Sequence, residues 1–372
     1  MNLSYWEKSS WLDRLDFVII GSGIVGLFCG LRLRQRYPKA KIAILERGRL
    51  PQGASTKNAG FACFGSLSEI LDDLQTHSET EVLELVAQRW EGLHTLRETL
   101  GDEPLDFQAH GGYELFTQSD TQLHKECVNQ IEQINEMLFP IFKRAVYKEV
   151  PNRFGFQKIQ SSTIFNAFEG QIDTGKMMLN LLKKAVAHDI RIINNTTVSS
   201  YEDLGSEVLL ETTLGKIASR HLCITTNGFA KEFGVDDLEP ARAQVLITHP
   251  ISNLDIKGTF HLDKGYYYFR NIDNRILLGG GRNLDFNAEQ TTSLEQTPLV
   301  QNALEALLHE VILPDTPFEI DHRWSGIMGV GSQKKPILKT LTPRVHLGVR
   351  LGGMGVAIGS SVGTQLADRI VI

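Results

Sequence analysis

An uninterrupted apolar run followed by helical spacing opens the informative part of the chain. Residues 17–20, Phe-Val-Ile-Ile, are all apolar, which is typical of a strand covered on both faces. Apolar positions then recur at helical spacing between Ile24 and Leu31, with arginines on the opposite side. A second apolar run, 42–45, ends at Glu46. This succession predicts a strand, a helix and a second strand parallel to the first.

Farther along the chain, helix and strand patterns alternate without a linker between them. Ser78 and Glu81 have the spacing of a capping box and predict the start of a helix. Residues 105–117 alternate around a Gly-Gly pair, which predicts a hairpin. Because nothing separates these blocks, we expect two interleaved domains. Their expected ranges are 1–80, 150–232 and 322–372 for a dinucleotide-binding domain, and 81–149 and 233–321 for a substrate domain.

Composition narrows the class of protein. The chain has 372 residues, which at about 150 per domain is consistent with two domains. Its formal net charge of −6 leaves no broad basic surface for a phosphate backbone, so nucleic acid is not expected as a partner. The four cysteines form no Cys-x-x-Cys pair, which disfavours a metal centre and indicates a reducing compartment. No apolar run approaches the roughly 20 residues that span a bilayer, so we expect a cytoplasmic protein without a transmembrane segment.

The turn between the first strand and the first helix carries a nucleotide-binding pattern. Gly21-x-Gly23-x-x-Gly26 follows the strand directly, and the helix begins within it. The first glycine permits a tight turn, the second lets the backbone approach a pyrophosphate, and the third lets helix and strand pack closely. Glu46 ends the second strand 20 residues after Gly26, where an acid can accept hydrogen bonds from ribose hydroxyls. The expected cofactor contacts in this unit are Gly21, Ser22, Gly23, Ile24, Val25, Gly26 and Glu46.

Further short segments of distinctive composition occur along the rest of the chain. They are Glu46-Arg47-Gly48 with the small, polar loop 53–60, Asn195-Thr-Thr-Val198, Ile224-Thr-Thr-Asn-Gly228, Pro240-x-Arg242-x-Gln244, Trp324-Ser-Gly326 and Gly353-Met-Gly-Val356. In this order they resemble the motifs of the D-amino-acid oxidase/glycine oxidase superfamily of FAD-dependent oxidoreductases. The resemblance covers nearly the whole chain, and ordered motifs are more specific than any one of them.

The resemblance implies both a fold and a cofactor site. The fold is α/β, with a Rossmann-like FAD-binding domain interleaved with a mixed-sheet α+β substrate domain. The cofactor is FAD, expected to be non-covalent because no cysteine stands near the C-terminal motifs in the sequence. The further cofactor contacts that it implies are Arg47, Ser55, Thr56, Lys57, Asn58, Ala59, Gly60, Val198, Thr226, Gly228, Gly353, Met354, Gly355 and Val356.

Two residues are the candidates for orienting a substrate, Tyr268 and Arg282. Strand alternation places Tyr266 and Tyr268 on one face and Tyr267 on the other, and the resemblance turns this strand toward the substrate. Packing in the core is an equally good explanation for a strand tyrosine, and solvation is the commoner one for an arginine. Met328 stands where many amino-acid oxidases of this type have an arginine, so ordinary α-amino-acid binding is expected only if Arg282 or Arg323 replaces it.

The implied reaction is oxidation of a C–N bond in an amine or amino-acid derivative, by hydride transfer to flavin N5. O₂ is the expected electron acceptor, and a small molecule is the expected substrate. Two alternatives stay open: a flavin dehydrogenase of a 2-hydroxy acid that uses another electron acceptor, and a non-catalytic flavin-binding protein. The histidines show no His-x-x-x-His spacing, so no metal is expected.

Overall fold

Two eight-stranded sheets organise the chain in the computed structural model, which describes residues 3–371. Residues 1, 2 and 372, which the expected domain ranges include, lie outside that part. The helices are α1 Tyr5–Glu7, α2 Ile24–Arg36, α3 Leu67–Leu74, α4 Glu79–Leu100, α5 Asp102–Leu105, α6 Thr121–Phe142, α7 Thr174–Ala187, α8 Phe286–Glu289, α9 Pro298–Leu307 and α10 Gly355–Asp368. The first strands are β1 Leu15–Ile20, β2 Ile42–Leu45, β3 Phe61–Ala62, β4 Gly112–Glu114, β5 Tyr147–Pro151, β6 Ser162–Asn166, β7 Gly170–Gln171, β8 Arg191–Ile193 and β9 Val198–Asp203. The remaining strands are β10 Val208–Thr212, β11 Gly215–Ile224, β12 Glu239–Thr248, β13 Thr259–Leu262, β14 Tyr267–Ile272, β15 Arg275–Gly280, β16 Ile320–Val330, β17 Ile337–Thr342 and β18 Val345–Val349.

The first sheet is built on five parallel strands in the order β18-β11-β1-β2-β8. Both faces of β1 are buried, because Phe17 and Ile19 pack in one apolar cluster and Val18 and Ile20 in another. The helices α2 and α10 pack against each other and against the first of these clusters. The predicted strand-helix-strand unit is therefore confirmed, with the glycine pattern at the carboxyl end of β1, where open α/β sheets bind ligands.

The second sheet has the order β16-β12-β15-β14-β13-β4-β6-β5 and mixes parallel and antiparallel pairs. One face is apolar and packs Phe260, Phe269 and Leu278 against α9. The same face buries an ion pair between Arg242 and Glu289, with Nε and Oε2 2.7 Å apart. The other face, which includes the side chain of Tyr268, borders a cavity. The α/β class with interleaved segments is confirmed.

The hairpin predicted over 105–117 is wrong. Residues up to Leu105 are helical, and β4 pairs in parallel with β13 and antiparallel with β6. The glycine pair has another use: a Cβ on Gly112 would lie 2.0 Å from Oε2 of Glu169, so the glycine makes room for that carboxylate. A glycine pair signals a tight approach of two chain segments as well as a turn.

Sheet membership also differs from the expected domain ranges. Both β5 and β6 belong to the second sheet, although the expected dinucleotide-binding domain includes residues 150–166. Strand β16 also belongs to the second sheet, although the expected boundary between the two domains falls within it, at residue 322. The physical reason is pairing: β16 lies against β12 over ten residue pairs, a partner that no local pattern reveals. Among the described residues, no helix combines the length and the apolar character that a membrane crossing requires.

Candidate active site

A cavity of about 420 Å³ lies between the carboxyl ends of the parallel strands and the face of the second sheet. Its first wall consists of the glycine pattern, the loop 53–60, the strand ends near 196–198 and 225–227, and the turn 351–357. Its second wall consists of side chains from the second sheet and from α3, including Tyr268, His261 and Glu69. The cavity therefore joins the predicted nucleotide site to the predicted substrate strand.

The glycine pattern is shaped by close contacts that only glycine allows. Gly21 has a φ of +100°, in the region that side chains rarely adopt. A Cβ on Gly26 would lie 2.0 Å from the carbonyl oxygen of Gly21, so the helix could not approach the turn. Both contacts bring the start of α2 to the edge of the cavity.

Two helices that begin at the cavity lack a side-chain cap. The N-cap residues of α2 and α10 are Gly23 and Met354, and neither accepts a hydrogen bond from its helix through a side chain. In contrast, Ser66, Ser78 and Asp173 cap α3, α4 and α7. The Oγ of Ser55 takes up one of the α2 donors, the N–H of Ile24, at 3.0 Å. The two positive helix ends at the cavity are suited to a ligand that carries negative charge.

Glu46 is a buried carboxylate fixed in direction by three donors. Its Oε2 accepts hydrogen bonds from Oγ of Ser22 at 2.7 Å and from the N–H of Ser22 at 3.1 Å. Its Oε1 accepts one from the N–H of Gly48 at 2.9 Å. The residue borders the cavity, and a carboxylate has room for about four such bonds, so acceptor capacity is left for a ligand hydroxyl. Beside it, the guanidinium of Arg47 lies 3.8 Å from the ring centre of Phe229.

The loop 53–60 is held rigid by its own hydrogen bonds. The side-chain amide of Asn58 donates to the carbonyls of Ala54 and Ser55, and its oxygen accepts from the N–H of Gly60. The carbonyl of Lys57 accepts from Nε1 of Trp324 at 2.9 Å, which ties the loop to β16. These bonds present Ser55, Lys57, Asn58 and Ala59 to the cavity.

Most of the residues expected to contact the cofactor border the cavity, and the others contact residues that border it. Those that border it are Gly21, Gly23, Ile24, Val25, Glu46, Arg47, Ser55, Lys57, Asn58, Ala59, Val198, Thr226, Gly353, Met354, Gly355 and Val356. Those that do not are Ser22, Gly26, Thr56, Gly60 and Gly228. For example, a Cβ on Gly228 would lie 2.3 Å from the carbonyl oxygen of Met328, which itself borders the cavity. The hydroxyl of Thr226 is buried and has no protein partner among the described residues.

A cysteine does lie beside the C-terminal motif in space, although none is near it in the sequence. The Sγ of Cys63 is 3.9 Å from the Sδ of Met354. Burial, followed by the charges of Glu169 and Glu69, raises the pKa of Cys63 well above its usual value. The side chain is therefore a neutral thiol and not the thiolate that forms covalent bonds readily.

The predicted alternation of the three tyrosines is confirmed. Tyr266 and Tyr268 border the cavity, whereas Tyr267 packs with the apolar cluster on the other face. The ring of Tyr268 occupies the space over Gly279, where a Cβ would lie 2.6 Å from it. Burial raises the pKa of Tyr268 to about 12, so the hydroxyl is a neutral hydrogen-bonding group at the cavity surface.

Of the two arginines that could replace the one missing at position 328, only Arg282 borders the cavity. Its guanidinium lies 4.9 Å from the ring centre of Phe286, and burial lowers its pKa. Arg323 instead donates to Gln301 at 2.7 Å and to Glu305 at 2.8 Å, and it is not part of the cavity wall. Met328 makes its part of the wall apolar.

The sequence patterns missed His261, which is 5% exposed and borders the cavity. Its Nε2 lies 2.9 Å from Oε2 of Glu169. Burial would lower the pKa of His261, but the charge and hydrogen bond of Glu169 outweigh it and raise the pKa to about 9. The sequence signal for His261 was the alternation in residues 259–262. That alternation shows which face of the sheet the side chain lies on only when the partner strand is known.

Comparison with known proteins places the chain among flavoproteins. A family model described as FAD-dependent oxidoreductase matches residues 16–369. A probable oxidoreductase OrdL from Rhizobium meliloti (strain 1021) is 23% identical over an alignment of 381 positions, gaps included. The alignment covers 95% of this chain and 82% of that protein.

Solved structures share the fold at low sequence identity. Glycine oxidase from Geobacillus kaustophilus superposes with a TM-score of 0.74 at 18% identity, covering 96% of both chains. L-Proline dehydrogenase from P. horikoshii superposes with a TM-score of 0.72 at 17% identity, covering 96% of this chain and 94% of the other. The fold of this chain is therefore shared with these proteins.

Proposed function

The chain belongs to the family of FAD-dependent oxidoreductases, and we propose that it oxidises a C–N bond of an amine or amino-acid derivative with O₂ as electron acceptor. The protein is an enzyme whose cofactor is FAD. The similar structures named above are a glycine oxidase and a proline dehydrogenase, which favours an amino-acid-like substrate. The overall change converts amine, water and O₂ into a carbonyl compound, ammonia and hydrogen peroxide.

The residues at the cavity fit FAD. The start of α2, whose N-cap Gly23 has no side chain, is suited to the diphosphate, and the oriented carboxylate of Glu46 is suited to ribose hydroxyls. The uncapped start of α10 would stabilise negative charge on the reduced cofactor. FAD supplies the two-electron acceptor that amino-acid side chains lack. The remaining work of the chain is to bind and orient the substrate.

The observation that carries the amine assignment is the carboxylate of Glu69. Three acids lie on α3, and two of them have lysine partners: Asp72 pairs with Lys264 at 2.8 Å, and Asp73 pairs with Lys334. Glu69 accepts a bond from the N–H of its own helix cap at 2.9 Å, and no lysine, arginine or histidine among the described residues lies within 4.0 Å of it. It borders the cavity, where it favours a substrate that carries an ammonium group.

The other side chains at this end would orient the rest of the substrate. Tyr268 offers a neutral hydroxyl, Arg282 a cation, and Met328 an adaptable apolar surface. The ring of Phe61 lies 5.6 Å from that of Tyr268 and covers it from the side. We also propose the cytoplasm as the compartment, since all four cysteines are free and buried.

The test is reduction of the bound flavin by candidate substrates in the absence of air. We expect amines and amino-acid derivatives to bleach the visible absorbance of the protein, and air to restore it with formation of hydrogen peroxide. Reduction by 2-hydroxy acids but not by amines would overturn the substrate class. Slow recovery in air, with fast recovery by an added carrier, would overturn O₂ as the acceptor.

A variant pair tests the role of Glu69. Glu69→Gln should raise KM for the amine about tenfold, because a charge-assisted hydrogen bond is replaced by a neutral one. Asp73→Asn removes one charge from the same helix outside the cavity wall, so its KM should stay unchanged. Equal effects of the two substitutions would show that Glu69 does not contact the substrate.

A further inference from the structure

A row of polar side chains crosses the cavity face of the second sheet. In the antiparallel pair of β13 and β14, His261 lies directly opposite Tyr268. In the parallel pair of β13 and β4, His261 lies opposite Glu114. Residues that are directly opposite in neighbouring strands point to the same face and lie close together. The imidazole of His261 is thus the neighbour of the tyrosine already proposed to orient the substrate.

A hydrogen bond to the buried carboxylate of Glu169 fixes the position of His261. Its Nε2 is bonded to Glu169, whose Oε2 also accepts from the hydroxyl of Thr259 at 2.9 Å. The side-chain amide of Asn166 donates to the other oxygen of Glu169 at 3.3 Å. The absent Cβ of Gly112 leaves the space that this carboxylate fills. Glu169 is 2% exposed, so the chain has built a buried ion pair under one wall of the cavity.

The second nitrogen of the ring is left for a ligand. With Nε2 committed to Glu169, the Nδ1 of His261 has no hydrogen-bond partner in the part of the chain that the structure describes. His261 borders the cavity, and its ring contacts that of Phe61 edge to face at 5.2 Å between ring centres. A buried imidazolium whose second N–H lacks a partner is costly unless an acceptor is supplied.

We propose that His261, held as the imidazolium by Glu169, binds a carboxylate of the substrate through Nδ1–H. This inference rests on the proposed function and narrows the substrate to an amino-acid derivative whose carboxylate reaches the β13–β14 face. His261 would then supply the cation that Met328 cannot. A charge-assisted bond of this kind is the stronger form of a hydrogen bond.

Other ionisable groups near His261 do not remove this cation from the cavity. Glu169 is already paired with it, and Glu114 is turned to the hydroxyls of Ser66 and Ser68 and to the N–H of Ser68. Burial raises the pKa of Glu114, which weakens its charge. Glu69 is the one carboxylate of the three that borders the cavity, where we assign it the ammonium group. Tyr268 and Cys63 are neutral in the usual pH range, since burial raises the pKa of both.

The experiment measures binding of benzoate and of its neutral analogue benzamide to the holoenzyme, from the change in visible absorbance of the bound FAD. His261→Gln should weaken benzoate about tenfold or more and leave benzamide unchanged, because only benzoate needs the charged donor. His249→Gln is the matched control, since that histidine is exposed and outside the cavity. Unchanged benzoate binding in His261→Gln, or an equal loss of both probes, overturns the proposal.

A second variant separates binding from structural support. Glu169→Gln removes the partner that keeps His261 protonated, so the pH above which benzoate is released should fall from about 9 toward the ordinary histidine value of 6.5. If the wild type and Glu169→Gln release benzoate at the same pH, the proposal is overturned, even if His261→Gln fails to retain FAD. Because both readouts use binding, they are independent of turnover. Histidine-dependent benzoate binding without reduction by any amine would contradict the proposed function alone.

Discussion

The two sheets meet the same cavity in different ways. The first sheet reaches it with the ends of its strands and with the starts of α2 and α10, where the wall includes the glycines of two turns and the small residues of the loop 53–60. The second sheet reaches it with its face, and its contacts come from the side chains of Tyr268 and His261 together with Glu69 on α3. One wall is therefore suited to a cofactor common to a family, and the other can vary with the substrate.

Buried histidines of the two sheets differ in charge state. His346 on β18 stacks on His221 at 5.7 Å between ring centres, and the only hydrogen-bond partner of its side chain among residues 3–371 is the hydroxyl of Thr340. Burial, and then the neighbouring histidine, lowers the pKa of His346 to about 4. His261 is equally buried, yet Glu169 raises its pKa to about 9. The partner, and not burial alone, decides the charge of a buried histidine.

The largest effect is expected where the first sheet depends on a missing side chain. Gly26→Val should abolish FAD retention and lower the free energy of unfolding by about 3 kcal/mol or more, because a Cβ would lie 2.0 Å from the carbonyl oxygen of Gly21. Flavin content and a denaturant titration measure both. Gly175→Ala is the control, since that residue lies outside the cavity and the nearest neighbour of its added methyl group would be Oδ1 of Asp173, at 3.2 Å. A yellow, stable Gly26→Val protein would contradict the close packing of α2 on the turn.

Glu46 is a buried carboxylate in the first wall. Glu46→Ala should weaken FAD binding by roughly 1.5–3 kcal/mol, because it removes an oriented acceptor and leaves the donors of Ser22 and Gly48 without a partner. Equilibrium titration of the apoprotein with FAD measures the change. Glu232→Ala is the control, since that acid is exposed, borders the cavity and accepts none of these bonds. Equal affinities of the two variants would remove Glu46 from the nucleotide site.

This contrast also explains how far the sequence alone could be interpreted. The wall made by the first sheet depends on residues close together in the chain, such as Gly21 and Gly26, and its pattern was recognisable. The wall made by the second sheet depends on pairs such as Glu169 with His261, which are 92 residues apart. Their meeting follows from the parallel pairing of β4 with β13 and from the space at Gly112, neither of which has a local signature. For the same reason the Gly-Gly pair was mistaken for a turn.

The neutral histidine of the first sheet should make the protein sensitive to acid. Because the pKa of His346 in the folded state, about 4, lies below its ordinary value of 6.5, its contribution to stability is complete above pH 6.5 and declines as the pH falls toward 4. Between about pH 7 and pH 5, the wild type should lose roughly 2 kcal/mol more than His346→Leu does. Denaturant titrations at the two pH values measure this. A pH dependence that is the same in both proteins would mean that folding does not lower the pKa of His346.

The smallest effect is expected at the rim of the second wall, where the two arginines can be compared directly. Arg282 borders the cavity and its guanidinium lies over Phe286, a contact worth about 0.5–1 kcal/mol at a partly exposed site. Arg282→Ala should raise KM up to about fivefold with little change in kcat, because a partly exposed ionic contact with the substrate contributes up to about 1 kcal/mol and is made in the ground state and the transition state alike. Arg323→Ala removes an arginine tied to Gln301 and Glu305 outside the cavity, so it should leave KM unchanged. If Arg282→Ala instead abolished turnover, the carboxylate would be bound by Arg282, and the benzoate affinity of His261→Gln would then equal that of the wild type.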